Sequence, residues 1–177
     1  QADACGEAFD KVARVLGLPY PGGPQIEKLA LSGSPSIALP VPFKGSDTLD
    51  FSFSGIKTAV INYVNMLKMK GNELPAADSA ASFQELVTHI MCDRLMRASA
   101  ARGCDKVVIA GGVGANKCLR AKVAREAERR GIKAFYPPIS LCTDNGVMIA
   151  AQTLSMIKAG RECADFDLDA DADLRIE

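Results

Sequence analysis

Near residue 105 the apolar residues of this chain stop recurring every three or four positions and begin to gather in short unbroken runs. Upstream, Phe9, Val12, Ala13 and Leu16 mark a helix over 4–17 that stops at Gly17, because residues at that spacing share one helix face. Ile56, Val60, Tyr63, Val64 and Leu67 predict a helix over 55–70. After a Gly71-Asn72 break, Phe83, Val87, Ile90, Met91, Leu95 and Ala98 predict the longest helix, over 76–102. Downstream, Lys106-Val-Val-Ile-Ala110 has the continuous apolar character of a strand buried in a parallel sheet. Gly111-Gly112 ends it. A helix over 115–130, a strand over 132–136, a Pro137-Pro138 loop and a helix over 144–159 follow. Strand, helix, strand, helix in that order implies a parallel layer, because parallel neighbours need a crossover. The expected fold class is α/β. Its parts are a mainly helical segment over 1–105, a strand-containing segment over 106–160 and an acidic tail over 161–177.

Proline and glycine punctuate the rest. Pro19-Tyr-Pro-Gly-Gly-Pro24 reads as a rigid turn whose last proline opens a short helix through Ile26, Leu29 and Ala30. Residues 32–50, with Pro35, Pro40 and Pro42 among glycines and serines, read as loop or edge strand. Phe51 to Ser54 reads as short and extended. The tail carries seven acidic and two basic residues without an apolar period, so it reads as surface.

Charge and composition exclude some functions. The 21 basic and 21 acidic side chains balance, which argues against wholesale electrostatic binding to nucleic acid or an anionic membrane. No stretch approaches the length of apolar residues that a membrane-spanning helix needs. No basic-then-apolar leader is visible, and the first residue is Gln1, so a mature form or a piece of something longer is expected. Cys5, Cys92, Cys104, Cys118, Cys142 and Cys163 form no CxxC pair, which favours free thiols in a reducing compartment over a zinc cluster or a disulfide framework. The expected location is cytoplasmic.

Five short segments have chemical potential. Ile109-Ala-Gly-Gly-Val-Gly-Ala-Asn116 lies between a strand and a helix. Glycines there let a ligand approach backbone, and free N–H groups at a helix start attract phosphate. Asn116 can bind a ligand hydroxyl or simply cap the helix. Cys142-Thr-Asp-Asn-Gly146 precedes a helix, which Thr143 or Asp144 can cap. Asp144 also follows a strand and loop, where parallel sheets collect ligands and a carboxylate can hold a metal. Glu7 and Asp10 sit three apart, on adjacent positions of a helix surface, and read first as exposed acids. Gly22-Gly23 can admit a nucleoside or merely turn the chain. Ser52 and Ser54 can contact phosphate, with capping of the next helix as the plainer role. His89 is the single histidine, on a long helix, and reads as a surface or boundary residue. Met66, Met69, Met91 and Met96 read as core or interface residues. Lys122, Arg125, Arg129 and Lys133 form a basic stripe opposite Leu119 and Val123, either a solvated face or a guide for RNA.

Taken together, the run Asp3-Ala-Cys-Gly-Glu-Ala-Phe-Asp-Lys11 through Pro19-Tyr-Pro-Gly-Gly-Pro24, then Phe51-Ser-Phe-Ser-Gly-Ile-Lys-Thr58, Ile109 to Asn116 and Cys142 to Gly146, resembles the TsaD family. This is the tRNA threonylcarbamoyladenosine transferase family, formerly called O-sialoglycoprotein endopeptidase or glycoprotease, and the GEAFDK form is similar to its bacterial branch. The resemblance implies an actin/Hsp70-like ATPase fold (ribonuclease H-like) of two lobes with a ligand cleft. It implies transfer of a threonylcarbamoyl group from threonylcarbamoyl-AMP to N6 of the adenosine 3′ of the tRNA anticodon. By resemblance, Asp10, Gly23 and Asn116 contact the adenylate, with Gly111 and Gly112 in the same nucleotide-facing loop. Asp144 would bind a divalent metal, iron or zinc, beside two histidines of an HxxxH motif. The implied partners are TsaB, TsaE and tRNA.

Members of that family are roughly twice this length, and their HxxxH motif lies upstream of the GEAFDK block. Here the single histidine is His89, so two metal ligands are missing and the isolated chain is expected to be inactive and to hold no metal. No nucleophile with a paired base supports the old protease label. Two other readings stay open at this stage: a small-molecule kinase-like ATPase of the same superfamily, and a non-catalytic partner module.

Overall fold

The computed structural model describes residues 5–161 and Asp169, so nearly all of the expected acidic tail lies outside the described residues. The element order is α1 (Cys5–Val15), α2 (Gly22–Ala30), α3 (Ser54–Met69), α4 (Ala76–Arg102), β1 (Lys106–Val108), α5 (Lys117–Arg130), β2 (Lys133–Phe135) and α6 (Gly146–Lys158). Short 3₁₀ turns occupy Gly112–Ala115 and Ile139–Leu141. The chain divides into two compact units, one ending at Thr143 and the other beginning at Asp144. The compositional boundary at 105 therefore falls inside the first unit.

Two cores hold that first unit. The larger gathers Phe9, Val12 and Ala13 of α1, Ile26 of α2, Ile56, Val60 and Val64 of α3, and Phe83, Val87 and Ile90 of α4. Phe9 and Phe83 meet edge to face, with ring centroids 5.0 Å apart, a geometry that adds to their burial. The second core joins Cys92 and Met96 of α4 to Val107 and Ile109 of the β1 segment and to Leu119, Val123 and Ala127 of α5. One helix thus serves both cores. Its sequence has neither glycine nor proline between Pro75 and Gly103, and Gly103 ends it in a left-handed conformation at φ 61°, which costs a residue without Cβ little.

This shared role corrects the single inward stripe expected of α4. Phe83, Val87 and Ile90 are buried as expected, whereas Met91, Leu95 and Ala98 are only partly so. Ser79, Ser82, Gln84, Thr88, Arg94 and Ser99 are buried as well, because elements pack against α4 on several sides. Its Arg94 stacks under Phe43 at 5.6 Å and donates to the Thr48 carbonyl, which ties part of the 43–50 loop to the helix.

The strand layer is real but small. β1 and β2 form a two-stranded parallel sheet in the register Lys106 to Lys133, Val107 to Ala134 and Val108 to Phe135. Lys133 N to Asp105 O (2.8 Å) and Ile109 N to Phe135 O (3.0 Å) extend the pairing at both ends. It stops where Gly111 turns at φ 78° and where Pro137 and Pro138 have no N–H to donate. The fold is α/β with helices dominant.

Helix starts also differ from expectation. α2 begins at Gly22, two residues before Pro24. α3 has Phe53 at its N-cap and no side-chain cap bond, so neither Ser52 nor Ser54 caps it. In the second unit the cap of α6 is Asn145, whose side chain accepts from Met148 N at 3.1 Å. Thr143 and Asp144 do not fill that role.

Candidate functional site

A cavity of the first unit encloses about 530 Å³ and is bounded by α1, α2, the glycine loop and the segment around Ile139. That volume falls in the range of small-molecule sites. Phe9, Pro21, Pro24, Val113, Ala115 and Ile139 make its walls mainly apolar, while Asp10, Glu27, Asn116, Lys117 and Thr143 bring polar groups to it.

Each wall is set by a local chemical requirement. Pro21, at the N-cap of α2, offers no side-chain cap bond. Asp10 supplies one from α1, accepting from Gly22 N at 2.7 Å. That bond binds an acid to an unpaired N–H at the positive end of a helix. Gly22 is required at the crossing, since a Cβ there would lie 2.7 Å from Asp10 Cα and from Ala13 Cβ. Gly23 differs: a Cβ there would meet nothing within 4 Å. It lines the cavity, so its missing side chain leaves room for a ligand instead of a neighbouring helix.

Asn116 is buried and its amide is engaged at both ends. Its oxygen accepts from Leu119 N at 2.9 Å and so caps α5, while Nδ2 donates to Gln84 Oε1 at 2.9 Å. The capping and cavity-lining roles therefore coexist in one side chain, and a second Nδ2 hydrogen remains for a ligand. Glu27 completes the start of α5, accepting from Lys117 N at 2.5 Å. Two N–H groups of α5 are consequently already satisfied by side chains, which weakens the idea that this helix start receives a phosphate.

The expected site residues separate into two groups. Asp10, Gly23, Asn116 and Gly112 line one cavity, whereas Gly111, at φ 78°, shapes the turn beside it. Asp144 opens the second unit and is exposed. Ser52 and Ser54 do not line the cavity, and their hydroxyls face each other at 3.4 Å. His89 lines a different, open groove with Ile37, Leu39 and Leu86. On the basic stripe, Lys122 pairs with Glu85 at 2.6 Å and Arg129 with Glu126 at 2.7 Å. Among the described residues Cys92, Cys104, Cys118 and Cys142 are free thiols, while Cys5 Sγ lies 3.6 Å from Met91 Sδ.

Sequence reasoning missed Glu27 and Gln84. Glu27 stands four residues after Gly23, so helical spacing alone places both on one face of α2. Gln84 carried no comparable signal, since its partner is 32 residues away.

Among the described residues no three His, Cys, Asp or Glu side chains are grouped as a metal site. The donor set here does not fit a metal centre, because a fixed ion needs several converging ligands. Among the same residues, no helix is long and apolar enough to cross a membrane.

The family model described as tRNA N6-adenosine threonylcarbamoyltransferase, TsaD, matches residues 1–151. A protein of that name from Clostridium botulinum (strain 657 / Type Ba4) is 49% identical over 167 residues, covering 93% of this chain and 49% of the relative. Another from Clostridium perfringens (strain ATCC 13124) is 47% identical over 175 residues, covering 98% of this chain and 51% of the relative. The chain spans about half the length of the curated relatives it matches. With four motif blocks in order and three of them converging on one cavity, the chain belongs to the TsaD family.

Proposed function

We propose that this chain carries the adenylate-binding half of a tRNA N6-adenosine threonylcarbamoyltransferase. The observation that supports the reading best is the convergence of Asp10, Gly23 and Asn116 on one largely apolar cavity of about 530 Å³. An adenine ring suits the apolar walls and the open space over Gly23. The carboxylates of Asp10 and Glu27 suit the hydroxyls of a ribose, to which they accept hydrogen bonds. They repel a phosphate, which therefore belongs toward Gly112 and the backbone of the glycine loop. In this reading the chain is one lobe of the actin/Hsp70-like architecture, with its helical part carrying the GEAFDK and PGGP segments.

In the transfer, N6 of the tRNA adenosine attacks the carbamoyl carbon of threonylcarbamoyl-AMP. A C–N bond forms, the bond from that carbon to the phosphate oxygen breaks, and AMP leaves with the electron pair while N6 loses a proton. The residues present bind and orient the leaving AMP, and holding two reactants in register is a large part of such a rate enhancement. The described residues do not by themselves provide a metal centre, and Asp144 is proposed as a ligand only alongside further donors. The reading extends to TsaB, TsaE and tRNA as partners and to the cytoplasm as location, supported by family membership alone.

Calorimetry with AMP tests the cavity: binding is expected for the chain as it stands and its loss in Gly23→Leu, whose side chain would fill the space. Labelled threonine should enter tRNA only when the chain is supplied with the complementary half of a relative. Robust incorporation by the chain alone would overturn the half-enzyme reading. Phosphoryl transfer from ATP to a small metabolite, without tRNA, would replace it with a kinase-like one.

A further inference from the structure

Arg120 is one turn along α5 from Asn116 and has no carboxylate partner among its described contacts. Its guanidinium is instead committed to two loops. Nε donates to the Gly114 carbonyl at 2.6 Å, and Nη2 donates to the Pro137 carbonyl at 2.7 Å and to Cys142 Sγ at 3.1 Å. The same group stacks over the Tyr136 ring at 5.2 Å. Cys142 is buried, and its thiol in turn donates to Pro138 O at 3.6 Å.

Gly114 sits between Val113 and Ala115, which line one wall of the cavity, and the 137–142 segment carries Ile139, which lines another. We propose that Arg120 is a positioning residue that fixes the separation of these two walls and thereby shapes the nucleotide cavity. The inference rests on the adenylate reading above. A planar fork with several fixed donors can bind carbonyls from two loops and stack on an aromatic ring at once. A lysine ammonium is a point charge on a flexible stem and cannot hold both loops in one plane. Charge-assisted bonds to carbonyls are also stronger than neutral ones, which suits a clasp between segments that have little regular secondary structure.

The test uses Arg120→Met, Arg120→Lys and Cys142→Ala, with Arg125→Met on the same helix as control. The first readout is amide exchange without nucleotide at Gly114, Asn116, Leu141 and Cys142. Each of these N–H groups donates within its own loop, to Gly111 O, Val113 O, Pro138 O and Ile139 O respectively, so each reports loop opening. Exchange is expected to rise about tenfold at all four in Arg120→Met and Arg120→Lys, as follows from loss of one charge-assisted bond. Only Leu141 and Cys142 should respond in Cys142→Ala, and none in the control. The second readout is AMP affinity by calorimetry, expected to fall about tenfold in both Arg120 variants. A third variant, Arg120→Ala, is expected to lose the same affinity and to recover it when methylguanidinium is added, a rescue that general destabilisation would not allow. Unchanged exchange at the four amides overturns the clasp, whether or not AMP binds. Faster exchange with undiminished AMP affinity overturns the positioning role. Absence of AMP binding by the unsubstituted chain, with the exchange response intact, strikes the adenylate reading instead.

Discussion

Gly22→Ala should destabilise this chain, against the usual direction for such a change in a helix. Replacing glycine by alanine ordinarily favours a helix by up to about 1 kcal/mol. Here the new Cβ would sit 2.7 Å from Ala13 Cβ, 2.7 Å from Asp10 Cα and 2.8 Å from the Phe9 carbonyl oxygen. Two of those atoms are backbone of α1, so no rotamer change relieves the overlap, and α1 and α2 must part. Overpacking of that kind costs about 1–3 kcal/mol. The same displacement pulls Gly22 N from Asp10 Oδ1, now at 2.7 Å, and a hydrogen bond to a charged group contributes about 1.5–3 kcal/mol. One movement relieves the clash by sacrificing the bond, so the two costs overlap instead of adding in full. A net loss of about 2–4 kcal/mol is expected. Equilibrium unfolding in urea, followed by helical circular dichroism, would read it as a lower midpoint at unchanged slope. Gly23→Ala is the internal comparison: its Cβ meets nothing within 4 Å, so stability should hold or rise by up to about 1 kcal/mol. If Gly22→Ala proved as stable as the unsubstituted chain, the close crossing of α1 and α2 would be wrong, and with it the placement of Asp10 beside the cavity.

Three further outcomes are expected. Asn116→Ala should cost about 2 kcal/mol, from the lost α5 cap and the unpartnered Gln84 amide; Asn116→Asp, which keeps the cap oxygen but has no N–H to donate to Gln84 Oε1, should recover only the cap's share in the same urea titration. Met96→Ala should cost about 2–5 kcal/mol, because Met96 is fully buried in the second core; a loss below about 1 kcal/mol would show that core to be loosely packed. Burial raises the Cys92 thiol above its ordinary range, and less thiolate means slower alkylation; iodoacetamide near pH 8 should modify exposed Cys104 well before Cys92, as peptide mass mapping would show.

Local sequence was sufficient wherever one segment settles its own conformation. The apolar spacing of Phe9, Val12 and Ala13 and of Ile56, Val60 and Val64 marks helix faces that the structure does bury. Gly17, Gly103 and Gly131 stand at or just beyond the ends of α1, α4 and α5 with positive φ, and an uninterrupted stretch between Pro75 and Gly103 leaves a 27-residue helix unbroken. Four ordered motifs were also sufficient for family membership, because they combine glycines and polar residues at spacings that no single helix or turn demands. Tertiary structure decided the rest. Nothing within the Pro19 to Pro24 turn says that the cap of α2 comes from Asp10, twelve residues upstream. Gln84 and Glu27 reach the start of α5 across 32 and 90 residues of chain. α4 looked one-sided and proved buried on several sides, since its neighbours were not visible in its own periodicity. Helical period and turn chemistry act over a few residues and are written locally. A buried polar group needs a partner, and a cavity needs walls, from wherever the folded backbone brings them; only the packed chain determines those.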